Sequence, residues 1–141
     1  MLTPEVILLQ HAKHQSMSKP LSILIVDDNL NFVNRLIGLI KELNQVDYIQ
    51  IAENYEEACR FLADDSPDVA LLDINLPGKN GLAILKKLKQ TAPKCDVIMI
   101  TNHADDYYRQ QCRDMGATHF LDKTIEFSRV PYILKDLAIA Q

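Results

Sequence analysis

The chain has 141 residues, 48% of them hydrophobic and 24% charged, enough for one domain with a full core and too few for two comfortable ones. A formal net charge of -4 leaves no strong basic field to hold nucleic acid directly. No run of about 18 apolar residues offers a membrane span, and the N-terminus lacks the basic start, long apolar stretch and small-residue cleavage site of a secretory signal. The cysteines Cys59, Cys95 and Cys112 are odd in number and widely spaced, which fits neither a disulfide framework nor a zinc site. They read as free, packed thiols of a cytoplasmic protein. His11 and His14 have no third ligand nearby and read as part of a solvated tail.

Residues 1–20 read as an N-terminal extension, with a domain following over 21–141. Within the extension, Thr3-Pro4-Glu5 carries the cap chemistry of a short helix, and Met17-Ser18-Lys19-Pro20 resembles an alternative start. Leu21 to Val26 is an unbroken apolar run suited to a strand buried on both faces. A helix follows over 31–44, with Phe32, Leu36, Leu39, Ile40 and Leu43 as its stripe. Tyr48 to Ala52 is the second strand. Asn54 caps the next helix, whose first turn holds Glu56 and Glu57. Val69 to Leu72 is the third strand, and a turn-rich loop, Leu76-Pro77-Gly78-Lys79-Asn80-Gly81, leads to a helix with Leu82, Leu85 and Leu88 inside and Lys86, Lys87 and Lys89 outside. Asp96 to Ile100 is the fourth strand. A more polar helix over 105–115 is closed by Gly116 at its C′ position. His119 to Leu121 is the fifth strand. A last helix spans 125–140 by periodicity, but Pro131 suits a first turn and moves its start toward Ser128 or Arg129. Strict alternation of strands and helices implies a doubly wound α/β fold with a parallel sheet, helices on both faces and right-handed crossovers.

The apolar runs end in polar residues of a particular kind. Asp27 and Asp28 follow the first, Asp73 the third, Thr101 the fourth, and Lys123 the fifth. In a parallel sheet these ends gather at the edge where open α/β sheets place their ligands. Three carboxylates in one cleft repel one another and invite a cation, and a hard cation such as Mg²⁺ suits oxygen donors. One carboxylate of such a site can act as a nucleophile toward a phosphoryl group, while a hydroxyl and an ammonium hold the remaining phosphoryl oxygens.

The set Val26-Asp27-Asp28, Leu72-Asp73-Ile74-Asn75-Leu76-Pro77-Gly78, Ile100-Thr101 and Phe120-Leu121-Asp122-Lys123 resembles a response-regulator receiver domain, of the stand-alone type found in chemotaxis. The resemblance runs from about Leu21 to the C-terminus. It implies a (βα)5 flavodoxin-like fold with a five-stranded parallel sheet of order 2-1-3-4-5. It implies that Asp73 accepts a phosphoryl group from the phosphohistidine of a sensor histidine kinase or histidine phosphotransfer protein. Asp28, Asp73 and the Asn75 carbonyl would ligate Mg²⁺, with Asp27 acting largely through water. Thr101 and Lys123 would contact the phosphoryl group. Phe120 takes the aromatic switch position and would turn inward as Thr101 moves, repacking the face made by the fourth helix, fifth strand and fifth helix. Output would pass by contact to another protein, whose identity is not implied.

Three departures accompany the match. Thr124 follows Lys123 where the family often has proline with a cis bond. The switch residue is phenylalanine, without a phenolic hydroxyl. His103 stands two residues past Thr101, where the family can modulate loss of the phosphoryl group. The alternative reading is a receiver-like scaffold that works without phosphorylation; loss of a site residue would support it, and none is lost. A Mg²⁺-dependent hydrolase of the dehalogenase type ranks lower, because it needs an acid at position 75, which is Asn.

Overall fold

The computed structural model describes residues 5–8, 20–102 and 104–140. Thr3, Pro4, His11, His14, Met17 and His103 lie outside the described residues. Six strands and five helices are present among those described: β1 (Glu5–Leu8), β2 (Leu21–Val26), α1 (Leu30–Ile40), β3 (Val46–Ala52), α2 (Tyr55–Asp64), β4 (Val69–Leu72), α3 (Gly81–Thr91), β5 (Asp96–Thr101), α4 (Asp106–Asp114), β6 (His119–Asp122) and α5 (Val130–Ala140), the last preceded by a 3-10 turn at Phe127–Arg129.

The sheet order is β1-β3-β2-β4-β5-β6. The last five strands of that order are parallel and reproduce the expected arrangement. β1 is the addition. The extension was expected to form a short helix, yet Glu5–Leu8 is a strand that runs antiparallel to β3, with Glu5 opposite Ile51 and Leu8 opposite Tyr48. An isolated helix of one or two turns is marginal in water, whereas the unpaired edge of β3 offers hydrogen-bond partners that a short run with β-branched Val6 and Ile7 can use.

The fully buried β2 divides the core in two. Ile23 and Ile25 face α1 and α5, where they meet Leu36, Ile40, Ile133 and Leu134. Leu24 and Val26 face α2, α3 and α4, among Phe61, Leu85, Leu88 and Cys112. This is the two-sided burial that a continuous aliphatic run requires. Cys95 and Cys112 are buried free thiols. α1 stops at Ile40, four residues short of the extent given by periodicity. Tight turns from Leu43 to Ile40 and from Val46 to Leu43 take over, and Leu43 still packs against the core from outside the helix. Pro131 is the second residue of α5, so this helix starts late, as the ring demands. Lys89 is not purely solvated: its Nζ donates to the Cys95 carbonyl at 2.8 Å.

Side chains at the sheet's C-terminal edge start the helices. Asn29 accepts from the Phe32 amide, Asn54 from Glu57, Asn80 from Leu82 and Asp105 from Tyr108, at 2.9 to 3.1 Å. Gly81, the first residue of α3, packs against the exit of β4. Its amide donates to the Ile74 carbonyl at 2.9 Å, and a Cβ there would collide with the Asp73 carbonyl oxygen.

Two outcomes are expected. Gly81→Ala should lower unfolding free energy in urea by about 1–3 kcal/mol, the usual cost of overpacking, and should shift the amide resonances of Asp73 and Ile74. Removing residues 1–8 should speed amide exchange along β3 by roughly fivefold, about 1 kcal/mol per hydrogen bond lost, while β4 stays protected; unchanged exchange in β3 would refute the β1 pairing.

Candidate functional site

Adjacent parallel strands bring the acids together. Val26 and Leu72 are in register, so Asp27 and Asp73 leave the sheet side by side, and the Asp73 amide donates to the Val26 carbonyl at 3.0 Å. One carboxylate oxygen from each of Asp27, Asp28 and Asp73 lies within 4.8 Å of the others. Asp27 and Asp73 are 1% and 5% exposed, and Asp28 is open to solvent.

Lys123 reaches into this cluster from the end of β6. Its Nζ lies 2.8 Å from Asp27 Oδ2 and 2.9 Å from Asp73 Oδ2, and the residue is 7% exposed. The Phe32 ring lies beneath the ammonium, 4.6 Å from Nζ to the ring centroid. Burial opposes the lysine's charge, but its contacts with Asp27 and Asp73 outweigh that and hold its pKa above the ordinary 10.5. Burial also raises the Asp27 carboxyl above its ordinary 3.8, with Lys123 and the Asn29 amide pulling the other way.

The fixed oxygens divide the work. Asp27 Oδ1 accepts from the Asn29 amide at 2.9 Å, and Asp73 Oδ1 from the Asn75 amide at 3.2 Å. Asp27 Oδ2 touches the ammonium as an ion pair without the alignment of a hydrogen bond, so this buried oxygen keeps an unsatisfied lone pair. Three carboxylates face one ammonium. That excess of negative charge, together with an unsatisfied buried oxygen, is the donor set of a hard divalent cation.

Thr101 is fully buried at the end of β5, in register with Asp122, and its carbonyl accepts from the Lys123 amide at 2.9 Å. The Lys123–Thr124 peptide is trans. Side chains shape the turn instead of a proline ring. Asp122 Oδ1 accepts from the amides of Thr124 and Ile125, and Glu126 Oε1 accepts from the Asp122 amide at 3.0 Å. That amide is the main reason the Glu126 carboxyl sits below its ordinary range, with Arg129 adding to the effect. A cleft of about 300 Å³ opens beside the cluster, lined by Asn29, Phe32, Arg35, Asn102 and Lys123.

All the sequence-selected side chains except Phe120 come from strand ends or the loops just beyond them at this edge. Phe120 lies within β6 and is already buried, at 8% exposure. The Arg109 guanidinium covers it, donating to its carbonyl at 3.0 Å and lying 4.9 Å from the ring centroid. Reasoning from sequence missed Phe32 beneath the lysine, Gly81 against the Asp73 backbone, and Arg109. Phe32 was legible only as one member of an apolar stripe. Gly81 stood in a turn-rich loop whose helix start went unread. Arg109 carried no signal.

Known proteins resemble this chain in sequence and in fold. The model of the response regulator receiver domain matches residues 23–135. The sensory transduction protein LytT of Bacillus subtilis (strain 168) is 34% identical over 115 residues, covering 82% of this chain and 47% of that protein. The chain thus spans about half the length of this curated relative. Among solved structures, the signal receiver domain of NarL from Mycobacterium tuberculosis superposes with a TM-score of 0.76 at 22% identity, covering 87% of this chain and 99% of that one. A CheY-like response regulator receiver domain protein from Methanospirillum hungatei JF-1 gives 0.74 at 22% identity, covering 88% and 100%. No described helix is long and apolar enough to cross a membrane. With its flavodoxin-like sheet and this match over most of its length, the chain belongs to the response regulator receiver domain family of two-component systems.

Proposed function

We propose that the chain is a phosphorylation-switched receiver, with residues 21–141 as the receiver and 1–20 as an extension to it, working in the cytoplasm. Asp73 is the phosphoryl acceptor, and the donor is the phosphohistidine of a sensor histidine kinase or phosphotransfer protein. The observation that carries this reading is the Lys123 ammonium held between Asp27 and Asp73 within a cluster of three carboxylates. A structural ion pair has no use for a third acid, whereas phosphoryl transfer to a carboxylate requires positive charge on both sides of it.

An Asp73 carboxylate oxygen attacks phosphorus, the P–N bond breaks, and its electron pair returns to the imidazole. Lys123, already 2.9 Å from Asp73 Oδ2, balances the charge that accumulates on the phosphoryl oxygens, and the Thr101 hydroxyl donates to one of them. The Asn75 amide keeps Asp73 Oδ1 oriented. Asp28, Asp73 and the Asn75 carbonyl would hold Mg²⁺, with Asp27 acting through water; when bound, the ion offsets repulsion between the carboxylate and the incoming phosphoryl group. Thr101 and Phe120 act as the switch, and output passes through protein contact to a downstream target. Loss of one of these groups would support the reading as a phosphorylation-independent scaffold, and each is present.

Intact mass after incubation with acetyl phosphate and Mg²⁺ tests the acceptor. The wild type should gain one phosphoryl group and Asp73→Asn none; uptake that persists in the variant assigns the acceptor elsewhere. Thermal unfolding tests the cation. Mg²⁺ at 100 times its Kd should stabilise the wild type by about 2.7 kcal/mol and leave Asp28→Ala unmoved. Without metal, Asp28→Ala should melt no lower than the wild type, because a like charge has been removed; a lower melting temperature would contradict a crowded acidic cleft.

A further inference from the structure

The lysine at the centre of the acidic edge rests on an aromatic ring supplied by α1. The Lys123 ammonium is hydrogen-bonded to Asp73 Oδ2 at 2.9 Å and ion-paired, without that alignment, to Asp27 Oδ2 at 2.8 Å. Against it lies the Phe32 ring, 4.6 Å from Nζ to the centroid and itself 5% exposed. An acid of the site places that ring. Asp27 Oδ1 accepts from the Asn29 amide at 2.9 Å, and Asn29 Oδ1 accepts from the Phe32 amide at 3.1 Å. Asp27 thus fixes both the lysine and what lies beneath it. Behind Phe32, Phe127 meets it edge-on with centroids 6.1 Å apart, and the Arg35 guanidinium lies 4.6 Å from the Phe127 centroid. Phe127 follows Lys123 in the same connection, so the contacts close on themselves: lysine, ring, ring and back along the chain. No proline stands between Lys123 and Val130 to stiffen that connection.

An aliphatic side chain would serve the core here, as Leu36 and Ile40 do alongside. It would not attract a cation. A hydroxyl or carbonyl would attract the ammonium, but along one direction, and would hold it there. The face of a ring attracts positive charge without demanding an aligned N–H. That difference counts at a phosphoryl site. As negative charge passes from the Asp73 carboxylate to the phosphoryl oxygens, the ammonium has to turn from one to the other while staying buried. We propose that Phe32, backed by Phe127, is a positioning residue for Lys123: its ring face seats the ammonium between Asp27 and Asp73 and lets it pivot toward the phosphoryl group as transfer proceeds. The seat belongs to the resting chain; the pivot rests on the receiver reading given above. Arg35 caps the outer ring, which makes the surface of α1 the far end of the seat. Lysine, with its flexible stem, gains from such a seat, because freedom lost before transfer is not lost again during it.

The test alters the charge distribution of the ring and keeps its shape. A trifluorinated phenylalanine at position 32 packs nearly as phenylalanine does, while fluorine draws electron density off the ring face and weakens its hold on a cation. In ¹H–¹³C spectra of the unphosphorylated wild type, the Lys123 methylene protons next to Nζ should lie upfield of ordinary lysine values, as protons over a ring face do. Phe32→Leu should return them to ordinary values. Phosphoryl uptake from acetyl phosphate at saturating Mg²⁺, followed by intact mass, should slow roughly tenfold in Phe32→Leu and about threefold in the trifluorinated protein, the scale of a desolvated cation–ring contact. Phe127→Leu should slow uptake less than Phe32→Leu. Uptake at the wild-type rate in the trifluorinated protein would overturn the proposal, and if Phe32→Leu were slow it would reduce Phe32 to core packing. Ordinary methylene shifts in the wild type would overturn the seat outright. No uptake by the wild type, with the methylene protons still shifted, would overturn the receiver reading and the pivot with it while the seat stands.

Discussion

Burying one ammonium between two carboxylates is the costly act around which the rest of this molecule is arranged. Each ion gives up several kcal/mol of hydration on leaving water, and only close opposite charge returns it. Lys123 therefore has to arrive at Asp27 and Asp73 with little freedom, and the surroundings see to that. The amides of Asn29 and Asn75 each hold one oxygen of an acid. The Asp122–Glu126 turn aims the lysine, and the Phe32 ring supports it from below. The cost is never fully recovered, because a third carboxylate stands beside the pair and one buried oxygen has no aligned donor. A site left short of positive charge in this way is primed to take up more.

The same contacts extend away from the acids. Phe32 meets Phe127 edge-on at 6.1 Å, and the Arg35 guanidinium lies 4.6 Å from the Phe127 centroid. Cation, ring, ring and cation thus run in series from Lys123 to the surface of α1. The turn before α5 is consequently packed against the same helix that supports the lysine. On the other side of the sheet, Phe120 is covered by Arg109 in a comparable way. Aromatic rings under cations are this fold's means of fixing side chains near charge without adding more polar groups that would need partners.

Much of this was legible from residue order alone, for identifiable reasons. Continuous aliphatic runs such as Leu21–Val26 admit few uses other than a strand covered on both sides, so the central sheet and its polar edge followed from pattern. Asp27, Asp28, Asp73, Thr101 and Lys123 were visible because each ends such a run. What stayed hidden depends on tertiary context. The short β1 could not be told from a short helix, because the edge it pairs with and the core that Ile7 packs against are provided by residues some forty positions later or at tertiary distance. Gly81 matters through one close approach to the Asp73 backbone, which no spacing encodes. Arg109 acquires its role only when α4 is laid across β6. The stop of α1 at Ile40 was missed because Leu43 continues the apolar stripe after the helical hydrogen bonds have ended.

The N-terminal strand also changes how the molecule meets its own kind. β3, with seven residues, would otherwise present a long flank of unpaired backbone, and β1 closes it. Both outermost described strands, β1 and β6, are four residues long. Neither offers a neighbouring chain enough length to zip onto, and brevity at the margins is a recognised protection against fibre-like stacking. Association with other proteins is thereby steered to side chains on the helical faces, where recognition depends on charge and shape and not on main-chain pairing that any extended peptide could imitate.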